Sequence, residues 1–186
     1  TMALNPGFDE LNPLNFENVK IGWMGNLDNY LAMEPGIIEL CETSLDKVVD
    51  AGGIVESLQT DFVLSDLWES WTILRHHGRL TMLDYYGYPK NRDLLKPELI
   101  WEIEQGLSFS NEDVERASLI RANWYVELDR MFDKYDFLVL PTAQVFPFPT
   151  DIHWPKQING REMDTYHLWM EVVILGSLGG IPVVNV

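Results

Sequence analysis

Between Val19 and Trp23 apolar and polar positions alternate, which is the period of a β-strand. Met24–Glu34 reads as a loop. After it, Ile37, Ile38, Cys41, Leu45, Val48 and Val49 recur at helical spacing, and Gly52-Gly53 stops the run. Pro35 is expected to open this helix, where its missing N–H costs nothing. Ile54–Leu58 reads as a second strand. Strand, helix and strand within about forty residues form a βαβ crossover, so the two strands should be parallel.

Residues 61–133 carry no convincing strand pattern. Leu64, Leu67, Trp68, Trp71 and Leu74 mark one helix over Phe62–Asp84, and Pro97–Gln105 a shorter one ended by Gly106. Ser110-Asn111-Glu112-Asp113 resembles a capping box and opens a helix running to about Asp133. Phe137-Leu138-Val139-Leu140 is then a short, continuous apolar run ended by Pro141, as in a strand buried on both faces of a parallel sheet. Pro147–Arg161 is a loop rich in proline and aromatics. Asp164–Leu175 is helical, with Tyr166, Trp169, Met170 and Val173 on one face. Gly176–Gly180 is a tight turn, and Ile181–Val186 a last strand.

Open α/β sheets bind ligands at the carboxyl edge of their strands. That rule puts Thr142, Gln144, Phe146 and Phe148 where a pocket would lie. Residue by residue, a structural turn explains them as well as a site does.

Composition narrows the partners. The chain has 186 residues, 46% hydrophobic and 23% charged, which is an ordinary globular balance. Asp and Glu number 29 against 13 Lys and Arg, a net charge of −16. Phosphate binding needs clustered positive charge, so a nucleic-acid partner is not expected, nor is an anionic membrane surface. No apolar run approaches the length of a membrane span. The first residues, TMALNPGFDELNPL, lack the basic and apolar regions of a secretory signal. The single cysteine, Cys41, lies on the apolar stripe of a helix and cannot form an internal disulfide. A cytoplasmic protein is expected.

Candidate chemistry is sparse. The four histidines, His76, His77, His153 and His167, form no metal-ligand spacing, and no metal site is expected. Ser44-Leu45-Asp46-Lys47 matches a Ser-x-x-Lys pattern, but mid-helix and without partner motifs. Gly176-Ser177-Leu178-Gly179 misses a nucleophile elbow, because Leu175 stands where the first glycine should be. Carboxylate pairs such as Glu102/Glu104 read as a solvated helix face.

Two phrases carry a resemblance. Tyr135–Ala143, YDFLVLPTA, and Gly176–Val186, GSLGGIPVVNV, resemble segments of the amidase signature family. LNPGFDELNPL resembles the family's stretch just after its catalytic core, and IGWMGNLDNYLAMEPGIIELC its following strand, loop and helix. The collinear match covers nearly the whole chain. It implies an α/β fold: a partial α/β/α sandwich with a mixed sheet, residues 1–186 forming one partial domain with a helical insertion at about 61–133.

The resemblance also implies amide hydrolysis through a Ser–Ser–Lys triad and an acyl-enzyme, with no metal and no cofactor. The Gly-Ser-rich segment that carries two triad residues is absent from the sequence, as is the triad lysine in its context. No catalytic residue is therefore assigned. Both chain ends look cut, and a fragment of a longer amidase is expected, contributing pocket walls to a small-molecule amide site. The candidate wall residues are Thr142, Gln144, Phe146, Tyr166, Trp169 and Met170. Family members acting in tRNA-linked amidotransfer carry an Arg pair where Trp101-Glu102 stands here. Neither residue can bind a carboxylate bidentately, which favours a small-molecule amidase. A sheet cut from a larger one should expose apolar edges and self-associate. The alternatives are a non-catalytic α/β binding or assembly module, and a helix-rich aromatic-ligand domain suggested by the seven tryptophans.

Overall fold

The computed structural model describes residues 15–186. The phrase LNPGFDELNPL, at 4–14, lies outside the described residues. The chain is α/β. A parallel three-stranded sheet has the order β2-β1-β3, built from β1 (Lys20–Trp23), β2 (Ile54–Ser57) and β3 (Phe137–Val139). Helix α1 (Ile37–Asp50) makes the crossover from β1 to β2, and Ile21 pairs with Val55 on one side and Phe137 on the other. The expected parallel βαβ unit is therefore present. Antiparallel pairing among the described residues is confined to a separate hairpin, β4 (Gln157–Ile158) with β5 (Arg161–Glu162), inside the stretch expected to be loop.

The entry to α1 differs from the expectation. Pro35 lies ahead of the cap, and Gly36 takes the cap position with φ 98°, a left-handed conformation that costs glycine nothing. The Gly36 N–H donates to the Glu39 carboxylate at 3.1 Å, satisfying one of the orphan donors of the first turn.

Between β2 and β3 the chain is helical, as expected: α2 (Leu64–Arg79), the one-turn α3 (Leu83–Tyr86), α4 (Pro97–Ser108) and α5 (Asn111–Phe132). The capping box at α5 is real, with Ser110 Oγ accepting from the Asp113 N–H at 3.2 Å and Asp113 accepting from the Ser110 N–H at 2.9 Å. Gly106 does not end α4. It lies within the helix, where an added Cβ would collide with the His76 carbonyl oxygen. Its role is close approach of α4 to α2 rather than termination.

Helix α2 packs against both α4 and α5. The core gathers Leu67 of α2, Trp124 and Leu128 of α5, and Leu175 and Leu178 of α6 (Ile174–Gly179). The Met24–Glu34 loop contributes to it as well, with Leu27 and Leu31 buried although Leu27 itself has φ 56°. A smaller apolar patch, Ile21, Trp23 and Leu45, holds α1 on the sheet.

Four late expectations are corrected. Strand β3 is not buried on both faces: Phe137 is 48% exposed, and β3 pairs only with β1 among the described residues. The 164–175 segment is a 3-10 run, Leu168–Val173, with Met170 off helical geometry, and it leads into α6. Gly176–Gly179 belong to α6 rather than to a turn, and Gly180 caps the helix. Ile181–Val186 form no strand. Val183 and Val184 are 67% and 80% exposed, with no partner strand beside them among the described residues. A ladder needs a neighbour, and apolar sequence alone cannot supply one. No described helix is long and apolar enough to cross a membrane.

Candidate functional site

All three strands of the sheet are parallel, so their carboxyl ends share one edge. Two loops leave that edge side by side, the one after β1 and the one after β3. They are laced by backbone contacts. The Glu34 N–H donates to the Gln144 carbonyl at 2.8 Å, and the Phe146 N–H donates to Glu34 Oε2 at 2.7 Å. Gln144 is fully buried, and its amide is spent on structure. Its Nε2 donates to the Ala32 carbonyl at 2.9 Å, and its Oε1 accepts from the Val172 N–H at 3.0 Å. One side chain thus ties both loops to the 3-10 segment.

Against this brace lies a cleft of about 390 Å³, lined by Glu34, Phe146, Phe148 and Pro155 with the β4 strand. Its lining mixes aromatic and proline residues with the polar residues Glu34, Gln157 and Asn159. Apolar walls with few convergent polar groups are the usual character of a small-molecule site.

The six residues singled out from sequence are scattered around this edge. Phe146 lines the cleft. Trp169 stands behind it, edge-on to Phe148 with ring centroids 5.5 Å apart, and its buried indole N–H has no partner among the described residues. Gln144 is the brace. Thr142 is exposed and donates to Asn185 Oδ1 at 3.0 Å. Met170 sits at the break in the 3-10 run. Tyr166 lines a second cleft, of about 240 Å³, against α2 and α4.

That second cleft sits over a charged cluster that the sequence reading missed. Glu102 of α4 is 3% exposed. Its Oε1 accepts from Arg75 Nε at 2.8 Å and contacts His167 Nε2 at 2.7 Å, while its Oε2 accepts from Arg79 Nε at 2.5 Å. Burial alone would raise the Glu102 carboxyl, but hydrogen bonds from His167, Arg79 and Arg75 hold it down at about 2. Beside it, His76 is 1% exposed, edge-on to Trp101 at 4.7 Å, with neither ring nitrogen partnered among the described residues. Burial pushes the His76 imidazole down to about 4, with Glu102 opposing that shift only in part.

His76, Glu102 and His167 each bring a ligand atom within 4.8 Å of the others. The donor set suits a transition metal in type. Its surroundings do not, because both Glu102 oxygens already face guanidinium groups. A divalent cation would sit in contact with two fixed positive charges. The cluster is an ion-pair hub.

These shifts fix a pH response. Both folded-state values lie below the unfolded ones, so the unfolded chain binds more protons and acid destabilises. The His76 contribution is complete above its ordinary value of 6.5 and is lost as pH falls toward 4. Glu102 follows between 4.5 and about 2. The His76 part amounts to about 3 kcal/mol in total. Melting temperature followed from pH 7 to pH 4 should fall steeply in the parent protein and much less in His76→Leu. Equal slopes would show that His76 does not titrate across folding.

No protein-family model matches the chain, and no curated protein matches it either. Solved structures do. A bacterial aryl acylamidase of the amidase signature enzymes is 22% identical, with a TM-score of 0.73 over 89% of this chain and 36% of that one. An amidase is 15% identical, with a TM-score of 0.72 over 92% and 38%. A 6-aminohexanoate cyclic dimer hydrolase, solved with substrate, is 12% identical, with a TM-score of 0.65 over 96% and 42%. The chain adopts part of the amidase-signature fold. It spans 36–42% of the length of these structures.

Proposed function

We propose that these residues are a segment of an amidase that hydrolyses a small-molecule amide, and that they supply walls of the substrate cleft rather than the catalytic triad. The observation that carries this reading is the shared fold over about nine-tenths of the chain with proteins named as amide hydrolases. The cleft at the carboxyl edge of β3 adds to it. Phe146 offers an apolar face to the substrate there, and Gln144 and Trp169 hold that wall in place.

In the reaction proposed, a serine oxygen attacks the amide carbonyl while a second serine passes its proton to a lysine. The tetrahedral oxyanion collapses to an acyl-enzyme as the amine takes the proton and leaves. Water then attacks the ester and frees the acid. Six of the eight serines among the described residues are otherwise engaged. Ser44, Ser70, Ser108, Ser118 and Ser177 donate to backbone carbonyls, and Ser110 donates to Asp113. None of these six hydroxyls is hydrogen-bonded to a lysine or a histidine, and the Asp113 carboxylate that holds Ser110 is engaged in the helix cap.

A fluorophosphonate serine probe separates the readings. It should leave residues 1–186 unlabelled when they are expressed alone, and should label a protein in which they are joined to the catalytic segment. Stoichiometric labelling of the isolated chain would overturn the division of labour. In the joined protein, Phe146→Ala should raise KM for an aryl amide roughly tenfold with little change in kcat, because an apolar wall binds ground and transition states alike.

A further inference from the structure

We propose that the cleft over Glu102 is a binding site for a small organic carboxylate, separate from the cleft at the sheet edge. The chain carries a net charge of −16, with only 13 Lys and Arg. Even so, Arg75, Arg79 and Lys96 converge on one concavity of about 240 Å³, where Glu98 and Glu102 are the only carboxylates. Three cations against two anions leave one positive charge unbalanced, the complement of a monoanion.

The geometry shows which donors are free. Arg75 and Arg79 stand four residues apart on α2, so their side chains share a face. Each reaches Glu102 through Nε, which leaves the Nη amino groups off the buried carboxylate, and Arg79 also interacts with the Tyr86 hydroxyl. Neither arginine has another carboxylate partner among the described residues. Their side chains remain 34% and 26% exposed, at the cleft wall. Glu102 therefore acts as a backing group that fixes two guanidinium forks, and an arginine fork matches a carboxylate bidentately. Glu98 is occupied by His153, and Lys96 is exposed at the rim without an ion-pair partner among the described residues.

The remaining wall sets the body of the ligand. Leu99, Tyr86 and Tyr166 give it apolar and aromatic faces. The volume lies below that of drug-sized sites and admits one ring or a short chain behind the carboxylate. The unpartnered ring nitrogens of the buried His76 and the Nδ1 of His167 border the same hub, polar groups that no protein atom satisfies there. This assignment stands whether or not the chain belongs to an amidase.

The test is calorimetric titration of the full-length protein with benzoate, benzamide and inorganic phosphate at low ionic strength. Benzoate should bind about tenfold or more tighter than its neutral isostere benzamide. Lys96→Gln, at an exposed position whose side chain makes no hydrogen bond or ion pair among the described residues, should weaken benzoate by roughly threefold, and Arg75→Gln by about tenfold or more. The site is overturned if benzoate gives no binding, if benzamide binds equally well, or if Lys96→Gln leaves benzoate affinity unchanged. Phosphate binding more tightly than benzoate would overturn the carboxylate assignment. An activity defect at Phe146 with intact benzoate binding separates failure of one cleft from failure of the other.

Discussion

Glu102→Ala is expected to destabilise the protein by about 3 kcal/mol, read as a shift in the midpoint of urea unfolding with unchanged slope. The carboxylate side chain is 4% exposed and meets three hydrogen-bond donors, Arg75, Arg79 and His167. Removing one member of a buried ion pair leaves the others uncompensated, which costs about 3–5 kcal/mol in well-enclosed pairs. The lower end applies here. Arg75 and Arg79 are 34% and 26% exposed and can turn toward water, while His167, at 4%, cannot. Glu102→Gln keeps the volume and one acceptor oxygen but loses the charge. It should cost about half as much, because charge-assisted hydrogen bonds become ordinary ones. A Glu102→Ala variant as stable as the parent would show that the hub does not hold α4 to α2.

The hub also marks where sequence reasoning stopped. Arg75, Arg79, Glu102 and His167 lie on three separate segments, and no local period connects them. Charged residues on an amphipathic helix are mostly solvated, so by pattern Glu102 belongs to the wet face. One signal was available. Glu102 precedes Gly106 by four residues and Ile103 by one, which places it on the face of α4 that Gly106 brings against α2. A glycine needed for close approach shows which helix face is inward, and a carboxylate on that face requires partners.

Elsewhere the chain was legible to the degree that its structure is local. The β1-α1-β2 crossover followed from alternation, helical spacing and a glycine stop, and α5 from the Ser110–Asp113 box. Pattern reports which residues tend to be buried, not what will cover them. Phe137–Val139 and Ile181–Val186 have similar apolar content, yet the first finds β1 as a partner and the second finds none among the described residues. The end of β3 alone pointed to this edge of the sheet, and Phe146 lines a cleft there. Gln144 had the same address, but its amide joins two other backbone segments, at Ala32 and Val172, a role set by long-range contacts that no spacing encodes.

Trp124→Ala should cost about 3–5 kcal/mol, among the largest effects of a single core substitution in this chain. Trp124 is fully buried on α5, edge-on to Phe62 at 5.3 Å, and packed with Leu128, Leu175 and Leu178. Its Nε1 donates to the Leu175 carbonyl at 2.9 Å. Alanine would leave a cavity and remove the donor together. Trp124→Phe isolates the second part. It keeps an aromatic ring and should cost about 1 kcal/mol, the net worth of one side-chain hydrogen bond to a carbonyl that α6 also uses. The consequence should reach the cleft. Leu175 lies three residues beyond Val172, whose N–H is held by Gln144. Loosening α6 should therefore speed hydrogen exchange at Val172 more than at Ile21, which is held by the sheet. Uniform acceleration across both amides would instead mean that Trp124 stabilises the whole fold without a particular hold on the cleft wall.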